Sequence, residues 1–142
     1  MKRHNRTRVA YIAGRLITGK RIASLYDFTT LTDVEIESLP DADRIRELDF
    51  EYNNYAKGNA FKYAFRHEFT EKHAIDLTIN GNTFMGRITG SSAYFIGNVR
   101  GDSIYIFDYE DAALLNYRIS GCVLEDEVGS GTSPSGRLQR RE

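Results

Sequence analysis

Ile75-Asp76-Leu77-Thr78-Ile79-Asn80-Gly81 reads as a strand running into a hairpin turn. In an extended chain Ile75, Leu77 and Ile79 point to one face while Asp76 and Thr78 point to the other, which is the pattern of a half-buried strand. Asn80-Gly81 then supplies residues that tolerate the positive φ angles of a tight two-residue turn.

The same arrangement recurs outward from this stretch with a period of about 20 residues. It is centred on Asp27, Asp49, Glu68, Ile88 and Asp108. Seven positions after each centre stand Val34, Ala56, Ile75, Phe95 and Leu115; nine after stand Ile36, Gly58, Leu77, Gly97 and Tyr117; eleven after stand Ser38, Ala60, Ile79, Val99 and Ile119. At four centres an acid sits between large rings or apolar groups: Tyr26-Asp27-Phe28, Leu48-Asp49-Phe50, His67-Glu68-Phe69 and Phe107-Asp108-Tyr109. The unit at Ile88 is degenerate.

Each unit therefore predicts two short strands, one ending just past the centre and one over the positions seven to eleven beyond it. The connections are of hairpin length and too short for parallel crossovers, so the predicted fold is all-β, an antiparallel meander of about ten short strands in five hairpin-like repeats. That many strands should curl into a barrel or split into a two-layer sandwich. A short β-solenoid is the competing fold, since one rung also takes about 20 residues. Arg8 to Ile22 is expected to add a strand or hairpin, because Val9, Tyr11 and Ala13 alternate. Over Asp41 to Tyr55 the residues Ile45, Leu48, Tyr52 and Tyr55 have helical spacing, while the repeat register predicts strand; the register is followed.

The chain has 142 residues, 41% hydrophobic and 27% charged, with a formal net charge of −1, enough for one domain with a real core. Charge is uneven. Lys2, Arg3, Arg6 and Arg8 make the first eight residues basic, and Arg137, Arg140 and Arg141 do the same near the other end, leaving an acidic body that suits no general nucleic-acid surface. Residues 1–8 are expected to be a solvated basic arm, 9–123 the β-repeat domain, and 124–142 a flexible tail containing Gly129-Ser130-Gly131-Thr132-Ser133-Pro134-Ser135-Gly136. The single cysteine, Cys122, and the lack of an apolar N-terminal run favour a cytoplasmic location, and no apolar stretch is long enough to cross a membrane as a helix.

Leu25-Tyr26-Asp27-Phe28, Ile106-Phe107-Asp108-Tyr109, Ile79-Asn80-Gly81-Asn82-Thr83-Phe84 and Phe95-Ile96-Gly97-Asn98-Val99-Arg100-Gly101 resemble the units of a loosely defined family of small bacterial proteins. Members repeat a Tyr-Asp-Tyr hairpin and occur in mobile elements such as integron cassettes. The resemblance spans Ile22 to Gly121 and implies a fold but no activity. The chain departs from the pattern at Arg87-Ile88-Thr89, which lacks the acid, and at Glu68, which is one methylene longer.

The repeat acids Asp27, Asp49, Glu68 and Asp108 are expected to hold turns by accepting backbone N–H groups, a job needed once per hairpin. Converging on a calcium ion is their alternative role. No zinc-type spacing, phosphate loop or ordered Ser-His-Asp set occurs, so no metal or cofactor is expected. His67, Glu68 and His73, with Asp76, are the candidates for acid–base chemistry in a pocket. Tyr94, Ile96, Tyr105 and Phe107 are the candidate interface residues on outward strand positions, beside further rings such as Tyr11, Tyr63 and Tyr117. The expectation is a non-enzymatic binding or assembly module forming a homo-oligomer, most simply a dimer, with an enzyme or small-ligand receptor as the alternative.

Overall fold

A computed structural model of the chain describes residues 1–39, 42, 55–57, 59–68, 74–123 and 138–140, the segments 55–57, 59–68 and 138–140 as backbone. Its described elements are the helix α1 (Arg3–Thr18) and the strands β1 (Ile22–Asp27), β2 (Thr32–Glu35), β3 (Tyr55–Lys57), β4 (Asn59–Glu68), β5 (Ala74–Asn80), β6 (Thr83–Ile88), β7 (Tyr94–Arg100), β8 (Ser103–Asp108), β9 (Ala113–Val123) and β10 (Leu138–Arg140). A 3-10 turn over Ile36–Ser38 follows β2.

The strands form one antiparallel sheet in the order β2-β1-β9-β8-β7-β6-β5-β4-β3. From β3 to β9 this is a meander, as the short connections require. The N-terminal hairpin joins at the far side, where β1 pairs with β9 (Leu25 opposite Ile119, Asp27 opposite Tyr117). The terminal strands of the path, β2 and β3, are not paired with each other, so the sheet is not closed. β9 runs past the end of β8, and β10 pairs with its last residues, Leu138 opposite Val123 and Arg140 opposite Gly121.

One face carries the core: Leu25, Ile75, Leu77, Ile79, Phe84, Ile88, Phe95, Val99, Ile104, Ile106, Leu115, Tyr117 and Ile119 are all buried. Among the described residues α1 covers them, so the fold is mostly β with an N-terminal helix, and that helix corrects the strand expected over Arg8 to Ile22. The physical reason lies in its surroundings. Thr7 to Gly14 are eight consecutive buried residues, more than two turns, so every side of the helix is covered. A helix enclosed all round shows no 3.6-residue apolar stripe. Val9, Tyr11 and Ala13 alternate only if Ala10 and Ile12, which are equally buried, are overlooked. α1 packs on β1, β5, β7 and β8. Gly14 allows the close approach, since a Cβ there would lie 2.8 Å from Ile104 Cδ1.

α1 ends at Gly19, whose φ of 76° favours a residue without a side chain and whose N–H bonds the Arg15 carbonyl at 2.9 Å. Its N-terminus is unusual. The first turn carries no acid, and Arg3 and Arg6 oppose the helix dipole.

Candidate functional site

The aromatic–acid–aromatic signature becomes the same local structure twice. Asp27 Oδ1 accepts the Thr29 N–H at 2.8 Å, and Asp108 Oδ1 accepts the Glu110 N–H at 3.0 Å, each acid bonding the backbone two residues on. Both carboxylates are buried. Each four-residue turn closes on a residue with positive φ, Leu31 at 60° and Ala112 at 51°. The flanking rings meet edge to face on the other side of the sheet, Tyr26 with Phe28 and Phe107 with Tyr109, both at 4.9 Å between centroids. So the acid points inward to hold the turn while its neighbours cover the outer face. At the degenerate unit Ile88 takes the inward place, and the Thr89 hydroxyl bonds the Ala74 backbone instead.

Asp108 does more than hold a turn. Its Oδ2 accepts hydrogen bonds from Arg6 Nε and Nη2 at 3.3 and 3.2 Å and lies 3.0 Å from the Met1 ammonium. Asp111 binds both cations as well, and Glu110 binds the ammonium. The β8–β9 turn thus brings to the N-terminus of α1 the negative charge its own first turn lacks. Met1, Arg6, Thr7 and Arg8 are accordingly docked, while Lys2, Arg3 and His4 of the segment expected to be a solvated arm are exposed. The sequence separates Arg6 from Asp108 by about a hundred positions, so no local signal pairs them.

Burial works against the Met1 ammonium, but the carboxylates of Glu110, Asp111 and Asp108 outweigh it and raise the group from 8.0 to about 10. The ammonium's hydrogen bond, together with Arg6, holds the Asp111 carboxyl below its ordinary value against a smaller effect of desolvation. Deeper in, burial pushes the Tyr117 phenol up to about 12, aided by the charge of Asp27 and moderated by a hydrogen bond with Thr7. These groups form a structural lock. Every carboxylate in it is satisfied within the chain, and among the described residues no cluster of three or more metal-ligating side chains is present.

The candidates for acid–base chemistry are not assembled by what is described. The register sets His67 opposite Ile75, Glu68 opposite Ala74 and Asp76 opposite Arg66, so His67 and Asp76 occupy positions on opposite faces of the sheet. Asp76 lies 3.9 Å from Arg87. Asp49, His73 and the helix-or-strand question over Asp41 to Tyr55 lie outside the described residues, as do the side chains of Tyr63, His67 and Glu68.

The outer face gathers the other candidates. Registers across five strands place Thr78, Met85, Ile96, Phe107 and Leu114 in one row. Met85 is 53% exposed, Ile96 38% and Leu114 74%. Tyr94, 52% exposed, flanks the row on one side, and Asn98, Tyr105 and Asn116 form the next row on the other. The sequence had singled out Tyr94, Ile96, Tyr105 and Phe107; the structure adds Met85 and Leu114. Those two become visible only once the register is known, because Met85 adjoins Phe84 and Leu114 adjoins Leu115, and the sequence alone does not say which of each apolar pair faces outward.

No protein-family model, no curated protein and no solved structure matches this chain.

Proposed function

We propose that this chain is a non-enzymatic assembly module that associates with a second copy of itself through the outer face of the sheet. The observation that carries the reading is the row from Met85 through Ile96 and Phe107 to Leu114. Scattered apolar residues on a surface are ordinary, but large ones aligned on adjacent strands form a contiguous patch of the kind that docks another protein. The rings of Tyr94 and Tyr105 beside it are residue types enriched at interface centres. The inner face is filled by α1, so the outer face is the surface left for a partner.

The reading includes a bacterial cytoplasmic setting, for which the single cysteine and the hairpin-repeat resemblance are the support, and the aromatic–acid–aromatic unit as the element repeated through the sheet. Sedimentation velocity of the full chain across a dilution series tests it. The parent should show a concentration-dependent dimer, and Leu114→Lys, at the most exposed site of the row, should shift it to monomer without changing the circular dichroism. A parent that sediments as a monomer throughout removes the reading.

A further inference from the structure

Met1 is held by both its side chain and its amine. The side chain is buried with the hydrophobic core. The ammonium is covered, with Glu110 Oε1 at 2.5 Å and Asp108 Oδ2 and Asp111 Oδ2 each at 3.0 Å. An ammonium carries three N–H donors, and three carboxylates surround this one. Together with Arg6, which binds Asp108 and Asp111, the site sets two positive charges against three negative ones.

An acyl group on this nitrogen undoes each part of that arrangement. An amide nitrogen is uncharged, so one guanidinium would be left against three carboxylates that repel one another. The amide keeps a single N–H and adds a carbonyl oxygen, which has to face carboxylate oxygens. The acyl carbon stands about 1.3 Å from the nitrogen, in a direction where an oxygen now lies 2.5 or 3.0 Å away. No room is left for it. Nor can the nitrogen withdraw alone, because the buried Met1 side chain moves with it, and so does Lys2, whose carbonyl accepts the Arg6 N–H at 3.0 Å.

From this geometry we infer that the α-amine of Met1 is a modification-controlled site: the carboxylates of Asp108, Glu110 and Asp111 select a free amine, and a formyl or acetyl group on it releases the first turn of α1. For a formylated chain the step that permits docking is hydrolysis. Water adds to the formyl carbon, the C–N bond breaks, formate leaves, and the amine takes up a proton to become the ammonium that the carboxylates hold. Once docked the amine is covered, so acylation has to precede docking or await local opening. The inference concerns the N-terminus of α1 and stands whether or not the outer face binds a second copy.

Cell-free translation of the full chain, with and without an inhibitor of peptide deformylation, supplies the formylated and the free forms. Near neutral pH the formylated chain should melt about 5 °C below the free one, and trypsin should cut within residues 1–8 about tenfold faster. A chain carrying Glu110→Gln and Asp111→Asn keeps the shapes of both side chains and removes their charges. There the gap in melting temperature should fall to less than half. Equal melting temperatures and cleavage rates for the two forms of the parent overturn the inference, and so does a gap undiminished in the variant. So too does a folded chain from cells whose intact mass shows Met1 blocked or missing.

Discussion

The ring of Phe84 on β6 lies against the backbone of Gly97, its direct partner on β7. A Cβ built at Gly97 would collide with that ring and with the Tyr105 carbonyl oxygen on the other side. The relation is reciprocated two pairs along, at the next inward pair, where Phe95 lies over Gly86. The two rings stand 6.2 Å apart. Inward positions thus alternate between a large ring and no side chain, which fills the narrow space between sheet and helix; glycines mid-strand ordinarily weaken a sheet, and here covering rings offset that.

Gly97→Ala should therefore destabilise the fold by about 2 to 3 kcal/mol, because backbone blocks the new methyl group and must shift. Gly101→Ala, at a turn with φ of 59° and open space around it, should cost about 1 kcal/mol through backbone conformation alone. Urea denaturation of the two variants ranks them. Equal costs would mean that the Gly97 site relaxes freely.

The two turn acids should differ in weight. Asp27→Ala removes a turn hydrogen bond and should cost about 1 to 2 kcal/mol. Asp108→Ala also removes the buried carboxylate shared by Arg6 and the Met1 ammonium, leaving them only the more exposed Asp111 and Glu110, and should cost about 3 kcal/mol. Asp108→Asn keeps an acceptor for the Glu110 N–H and should fall between. In a double-mutant cycle with Arg6→Met, coupling should appear for Asp108 and be absent for Asp27.

Much of the sheet was legible because strands β5 to β9 carry their own evidence: alternation, glycine turns and a repeating register are all local. The helix was not legible. Enclosed on every side, residues 7–14 keep no polar stripe, and their five consecutive apolar residues fit a strand as well as a helix. Nor was the pairing of β1 with β9, which joins distant parts of the chain with no local signal. Of the candidate site, the residue types at Tyr94, Ile96, Tyr105 and Phe107 were readable, but the row they form with Met85 and Leu114 depends on how neighbouring strands align. The lock of Met1 and Arg6 on Asp108 was missed because basic residues near an end read as a solvated arm until the acidic turn they meet is known.

Removing Met1 to Asn5 should accordingly lower the melting temperature by several degrees, since it deletes the ammonium and the first turn of α1 that positions Arg6. Differential scanning calorimetry of the shortened chain checks this. An unchanged melting temperature would show that Arg6 and the carboxylates hold the helix without the segment before them.

The same lock sets a pH window. The Met1 ammonium has a folded value of about 10 against an ordinary 8.0, so its contribution is complete below about pH 8 and is lost as pH rises through about 10. Asp111 has a lowered folded value; its contribution is present above the ordinary carboxylate range and fades as pH falls through the folded value. Tyr117, raised to about 12 from 10.0, extends the alkaline loss upward, because above pH 10 the unfolded chain releases the phenolic proton first. Stability measured against pH should thus be flat near neutrality and fall on the alkaline side in two stages. A curve level from pH 7 to 11 would contradict the docked ammonium.

The central claim is that the outer face of the sheet binds a second copy of the chain. Sedimentation equilibrium of the full chain from micromolar to millimolar concentration measures this directly. The predicted result is a mass rising from 16.2 kDa to twice that value, with the rise abolished by Leu114→Lys. A mass that stays at the single-chain value at every concentration would contradict it.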